Sequence, residues 1–186
     1  MARFDSGRIC LDLVATGAQE SERLGSAEEL GRWLLGAGLV PSGTPLAGLD
    51  AEWPARFVEL RCCIAQLIHA ELGAPAEGAS AALDRINALA AAPPPGVRAI
   101  RGADGGLVRS LCRAPECAAL LAVVARDAVD LLTDPEARAR LRQCEGDNCR
   151  LLYLDTSRGR RRRWCSSEVC GNRERVARHR RRVAAL

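Results

Sequence analysis

Between residues 144 and 170 four cysteines fall as Cys144-x4-Cys149-x15-Cys165-x4-Cys170. Two close pairs separated by a short insert are what one tetrahedral metal ion requires. Each pair supplies two thiolates from a tight turn, and the insert folds one pair onto the other. Four thiolates favour zinc in a closed structural site, with iron the main inorganic alternative. The spacing therefore predicts one Zn2+ per chain, held by Cys144, Cys149, Cys165 and Cys170. The insert suits this purpose: "RLLYLD" reads as a strand, "TSRG" as a turn, and "RRRRW" as a second strand returning to Cys165. Ser166 or Ser167 can then cap a helix that carries Cys170 in or near its first turn. A knuckle, a β-hairpin and a helix around one ion make a treble-clef-like zinc finger. A segment of about 40 residues with so few core candidates is otherwise hard to stabilise.

The other cysteines read differently. Cys112 and Cys117 repeat the x4 spacing, but Cys112 ends a strand candidate, Cys117 opens an apolar helix, and no second pair lies nearby. Cys62 and Cys63 are adjacent. For Cys112 and Cys117 core packing is the expectation, without a metal. Oxidation of zinc-bound thiolates with release of the metal is an alternative use of the site, and nothing in the spacing separates a sensor from a structural centre.

The finger sits in the basic part of a divided chain. Residues 137–186 hold 15 Arg and five carboxylates, a net +10, whereas residues 1–136 hold 12 Arg and 18 carboxylates, a net −6. All 27 basic residues are Arg. An acidic body joined to a basic segment is the asymmetry expected when one part meets a polyanion and the other does not. Arg suits bidentate phosphate contact and guanine edges. The candidate nucleic-acid contacts are Arg158, Arg160, Arg161, Arg162 and Arg163 in the insert. On the last helix they are Arg173, Arg175, Arg178, Arg180, Arg181 and Arg182. There Asn172, Val176, His179 and Val183 recur at helical steps and are expected to face the finger or the body. Glu174 can pair with Arg178 or Arg181. Tyr153 and Trp164 are the aromatics near these clusters, and a small finger core accounts for both.

The remaining residues, 1–142, read as a mainly helical domain with one small β-hairpin, followed by the finger at 143–186. Ser26 and Glu29 have capping-box spacing ahead of Leu30, Trp33, Leu34 and Leu35, and Gly36 and Gly38 end that helix. A longer helix starts near Trp53-Pro54 and runs to about Leu72, with Phe57, Leu60, Ile64, Leu67 and Ile68 at apolar steps of three and four. Ser80 is placed to cap a third helix, which "PPPG" at 93–96 ends. "VRAIRGADGGLVRSLC", residues 97–112, flanks a Gly-rich turn with two strand candidates. "PECAALLAVVARDAVDLL" reads as a mostly buried helix, and Asp134-Pro135-Glu136 starts a short one.

The run "LYLDTSRGRRRRWCSSEVCGNRERVARHR" closely resembles the CGNR zinc-finger family, whose tetrapeptide is here Cys170-Gly171-Asn172-Arg173. In that family the finger follows a domain called ABATE, and "LDLVAT", residues 11–16, is similar to that domain's opening motif. The resemblance implies a stress-induced transcription regulator. The family commonly has Asn where Ala15 and Gly159 stand; a Gly at 159 is an acceptable turn residue.

The leading expectation is thus a zinc-dependent, DNA-binding transcription regulator whose body senses a ligand or mediates association. An RNA- or ribosome-associated zinc module is the alternative. DNA is favoured over RNA as partner, and a small molecule on the body and a homodimer are compatible with the sequence. An enzyme is not expected: His69 and His179 have no motif partners, and no phosphate loop, nucleophile elbow or metalloprotease helix appears. Arg3, Asp5 and Arg8 interrupt the N-terminus, which argues against a secretory signal. The apolar run "CAALLAVVA" is far short of the roughly 20 residues that span a bilayer. A cytoplasmic location follows as the expectation, where structural disulfides are rare.

Overall fold

The computed structural model describes residues 4, 6–18, 22–147 and 149–183, and the backbone alone of His179. The elements run α1 (Ile9–Ala15), α2 (Ala27–Gly36), α3 (Glu52–Glu71), α4 (Ala79–Ala90), β1 (Val97–Arg101), β2 (Leu107–Leu111), α5 (Cys117–Thr133) and α6 (Pro135–Arg138). The finger adds β3 (Leu141–Gln143), β4 (Leu152–Leu154) and α7 (Cys170–Val183). This is the mainly helical body with one hairpin, and the zinc-finger architecture, that the sequence predicts.

Periodicity explains the body. In α3 the steps Phe57, Leu60, Ile64 and Ile68 place four fully buried side chains on one stripe, facing α4, α5 and α1. Asp50 Oδ1 accepts from the N–H groups of Glu52 and Trp53 at 2.8 and 3.3 Å, and Pro54 lies in the first turn, where its missing N–H costs nothing. Ser26 Oγ accepts from Glu29 N at 3.2 Å and starts α2 as expected. Its buried face ends at Leu34; Leu35 is exposed. The apolar α5 lies at the centre of the core, with Leu120, Leu121, Val124, Ala128 and Leu131 all buried.

Three local readings change. The third helix is capped by Gly78, not by Ser80, which lies inside the first turn and is exposed. Gly78 has φ +73, and a Cβ there would lie 2.5 Å from Gln66 Nε2, so this position both needs and selects glycine. Second, α1 is a helix that the sequence does not predict. Cys10 to Val14 are all buried, so the segment has no polar face to produce a period. Its first turn is capped from α5: Asp127 Oδ2 accepts from Cys10 N at 2.9 Å, and Oδ1 pairs with Arg8 Nε at 2.8 Å. Third, "RRRRW" is not a strand. β4 pairs antiparallel with β3, which precedes the knuckle, in the register Leu141↔Leu154, Arg142↔Tyr153, Gln143↔Leu152.

That register ties the finger to the body. Leu141 and Leu152, on one face of the hairpin, belong to the body's core cluster, and Leu154 packs against it; Tyr153, on the other face, packs with the cysteines. Leu154 N also donates to Ser6 O at 3.0 Å. β3 spans the boundary expected between residues 142 and 143.

Candidate metal centre and arginine surface

Cys144 follows β3, Cys149 precedes β4, Cys165 closes the arginine segment and Cys170 is the first residue of α7. Backbone bonds shape each turn. Cys144 N donates to Leu151 O at 2.9 Å, Cys149 N to Gly146 O at 2.9 Å, and Gly171 N to Ser166 O at 2.9 Å. Ser166 Oγ accepts from Glu168 and Val169 N–H groups, so it caps the turn leading into α7.

A tetrahedral zinc with Zn–S bonds of about 2.3 Å separates its sulfurs by about 3.8 Å. Cys149 Sγ lies 3.7 Å from Cys165 Sγ, and Cys165 Sγ 3.6 Å from Cys170 Sγ. All four sulfurs lie within 4.8 Å of one another. A disulfide needs about 2.0 Å, so these thiols are spaced for a shared ion and not for bonding to each other. Among the described residues no other group of three or more His, Cys, Asp or Glu side chains is so gathered. Cys112 and Cys117 are not part of it; Cys117 is buried in the body's core as expected, whereas Cys112 is exposed and is not a core residue.

The electrostatics agree. Burial pushes Cys170 up to about 11 and Cys165 well above the ordinary thiol range. Cys144 goes the other way: burial opposes ionisation, but N–H donors including Cys165 N, at 3.3 Å from the sulfur, outweigh it. Three of the four cysteines are buried, and four thiolates crowded together need a cation to hold them ionised. The donor set, its spacing and its burial fit one zinc ion per chain, which supplies the finger's missing core.

Around this centre a buried network holds the arginine segment. Asp155 is fully buried; its carboxylate accepts from Ser157 N at 3.0 Å, Ser157 Oγ at 2.6 Å and Arg162 N at 2.9 Å. Burial alone would raise its pKa, but the hydrogen bonds from Ser157 and Arg162 hold it below the usual range. Tyr153 is buried, donates to Arg162 O at 2.7 Å and is pushed up to about 12 by burial. The Arg162 guanidinium lies 4.7 Å from its ring centroid and donates to the Trp164 and Cys165 carbonyls. Arg162 is therefore an internal brace.

The other candidate arginines divide into two groups. Arg163 pairs with Glu145 and lies 5.2 Å over Trp164; Arg178 and Arg181 pair with Glu174; Arg175 donates to Ser167 O. Arg158, Arg160, Arg161, Arg173, Arg180 and Arg182 are exposed and have no partner among the described residues. The stripe expected along α7 is not buried: Asn172 is exposed, Val176 is 42% exposed and Val183 59%. The side chain of His179 lies outside the described residues. Beyond Cys170 and Gly171, α7 extends into solvent from its metal anchor.

Sequence reasoning missed Asp155 and the brace it forms with Tyr153 and Arg162. The signal is the "LDTSR" run, a buried Asp followed two residues later by a Ser, which is an Asx-turn pattern. Among the described residues no helix is long and apolar enough to cross a membrane.

Comparison with protein families agrees with this architecture. A family model described as "ABATE: Putative stress-induced transcription regulator" matches residues 7–135. A second, described as "CGNR zinc finger", matches residues 140–183 and contains all four cysteines. No curated protein matches the chain. The chain thus belongs to the ABATE family of transcription-regulator-like proteins, and its four-cysteine centre is the zinc site of a CGNR zinc finger.

Proposed function

We propose that the protein is a cytoplasmic, non-catalytic DNA-binding transcription regulator, in which the finger contacts duplex phosphate and the body senses a ligand. One observation carries the reading: six arginines without a partner among the described residues, three from the 158–161 turn and three from α7, flank one metal centre. Zinc and the Asp155 network fix the first group, and Cys170 fixes where the helix begins. Such an array meets phosphates without first breaking internal ion pairs. A helix whose described side chains beyond Gly171 are mostly exposed is also shaped to enter a groove. Exposed aromatics for base stacking are scarce beside these arginines; Tyr153 is buried and Trp164 is covered by Arg163, which favours duplex over single-stranded nucleic acid.

The test compares affinity for mixed-sequence duplex DNA, a selected duplex target and structured RNA of equal length, at matched salt. A regulator prefers duplex DNA and, after selection, discriminates target from mixed sequence by about 1,000-fold or more. Equal affinity for RNA and DNA without sequence preference would overturn the reading in favour of an RNA-associated module.

A further inference from the structure

The β1–β2 hairpin has no part in the finger, yet it carries a surface of unusual chemistry. Register pairs Arg98 with Ser110 and Ile100 with Val108, so these four side chains share one face. That face is one wall of a groove of about 830 Å³ whose other side is the loop 41–45. Arg109 and Arg113 also line it, with Leu111, Cys112 and Ala114. The volume is within the range of small-molecule sites.

Charge separates this groove from the surface around it. Residues 1–136 are net acidic, but three of their 12 arginines line this groove, and no Asp or Glu does among the described residues. Arg98 and Arg113 have no partner among the described residues. Arg109 donates to Gly38 O at 2.8 Å, which anchors its guanidinium at the rim. One pair further along the hairpin from Arg98, Ile100 and Val108 are 41% and 44% exposed, a small apolar strip at the other end of the same face. Phosphate backbone has no use for such a strip, and a second copy of the same basic hairpin would bring like charges together. An apolar body ending in a negative group satisfies both parts.

We propose that this groove binds an amphipathic organic anion, with its carboxylate or phosphate on Arg98 and Arg113 and its apolar body on Ile100 and Val108. The site gives a place and a chemical class to the ligand sensing proposed above; only its regulatory consequence rests on that reading.

Isothermal titration of the full-length, zinc-loaded protein with decanoate, decyl phosphate, inorganic phosphate and decanol tests the site. Decanoate or decyl phosphate should bind one to one. Affinity should fall at least about tenfold in the Arg98→Ala/Arg113→Ala double variant, as expected for loss of charge-assisted hydrogen bonds. Decanol should bind at least about tenfold more weakly than the anions, by the same reasoning. Which anion binds better identifies the head group. An unchanged thermal midpoint of the double variant shows that the fold is intact, since both arginines are exposed. Binding of no probe, equal binding of decanol, or binding unaffected by the double substitution would overturn the proposal. A loss of duplex DNA affinity in the double variant without anion binding would overturn it in favour of a nucleic-acid face. If the anion binds and duplex affinity does not respond, the site stands and the sensing role fails.

Discussion

Replacing Asp155 with Ala tests whether the zinc centre depends on the buried carboxylate beneath the arginine turn. Three hydrogen bonds are lost, one of which ties Arg162 N across the turn from seven residues away. Bonds to a charged acceptor contribute about 1.5–3 kcal/mol each. The two donors on Ser157 can turn to water once the loop loosens, so a net loss of about 3 kcal/mol of finger stability is expected. Because folding of such a module and metal binding are one equilibrium, that loss appears as zinc affinity weakened by up to about a hundredfold. Competition with a chromogenic chelator measures it. Asp155→Asn keeps one acceptor oxygen and should fall between wild type and Ala. The carboxylate's pKa is lowered on folding, so its contribution is present above the unfolded value of about 4 and is lost as pH falls through the folded one. The gap between wild type and Asp155→Asn should therefore close below about pH 4. Zinc affinity of Asp155→Ala within twofold of wild type would show that the buried carboxylate does not support the metal centre.

Other outcomes follow from the same structure. Arg162→Ala should weaken zinc binding, whereas Arg158→Ala should leave zinc binding alone and lower the salt slope of DNA binding by about one. Stripping zinc should lower the body's thermal midpoint as well as unfold the finger, because Leu141 and Leu152 belong to the body's core. Burial of two leucines contributes about 3–6 kcal/mol, and circular dichroism melts with and without chelator would read the change. Asp127→Ala should cost about 2 kcal/mol by removing the Arg8 pair and the cap on Cys10, lowering the melting point by about 4–8 °C.

The parts of the molecule legible in the sequence are those encoded locally. The four cysteines are readable because a tetrahedral ion imposes two close pairs whatever the intervening chain. Ser26, Phe57 to Ile68 and the Gly-rich turn at 102–106 carry their own caps, periods and punctuation. The unread parts depend on distant partners. Nothing within "ICLDLVA" signals a helix, since its caps come from Asp127, 117 residues beyond Cys10. The arginine run reads as a strand returning to Cys165, but β4 already pairs with β3 across the knuckle. The run's own backbone groups go to Asp155, Tyr153 and Glu145 instead. In α7 the stripe of Asn172, Val176 and Val183 suggests a packed face, yet a helix anchored by a metal at its first residue does not need one.

If zinc organises the arginine surface for duplex DNA, the salt dependence of duplex affinity must differ between the zinc-bound and the zinc-free protein. Six arginines without a partner among the described residues predict a slope near −5 on a log–log plot for the zinc-loaded protein, and a marked loss of affinity when the metal is stripped. A slope shallower than about −2, or the same affinity and slope without zinc, would rule out a zinc-organised arginine surface.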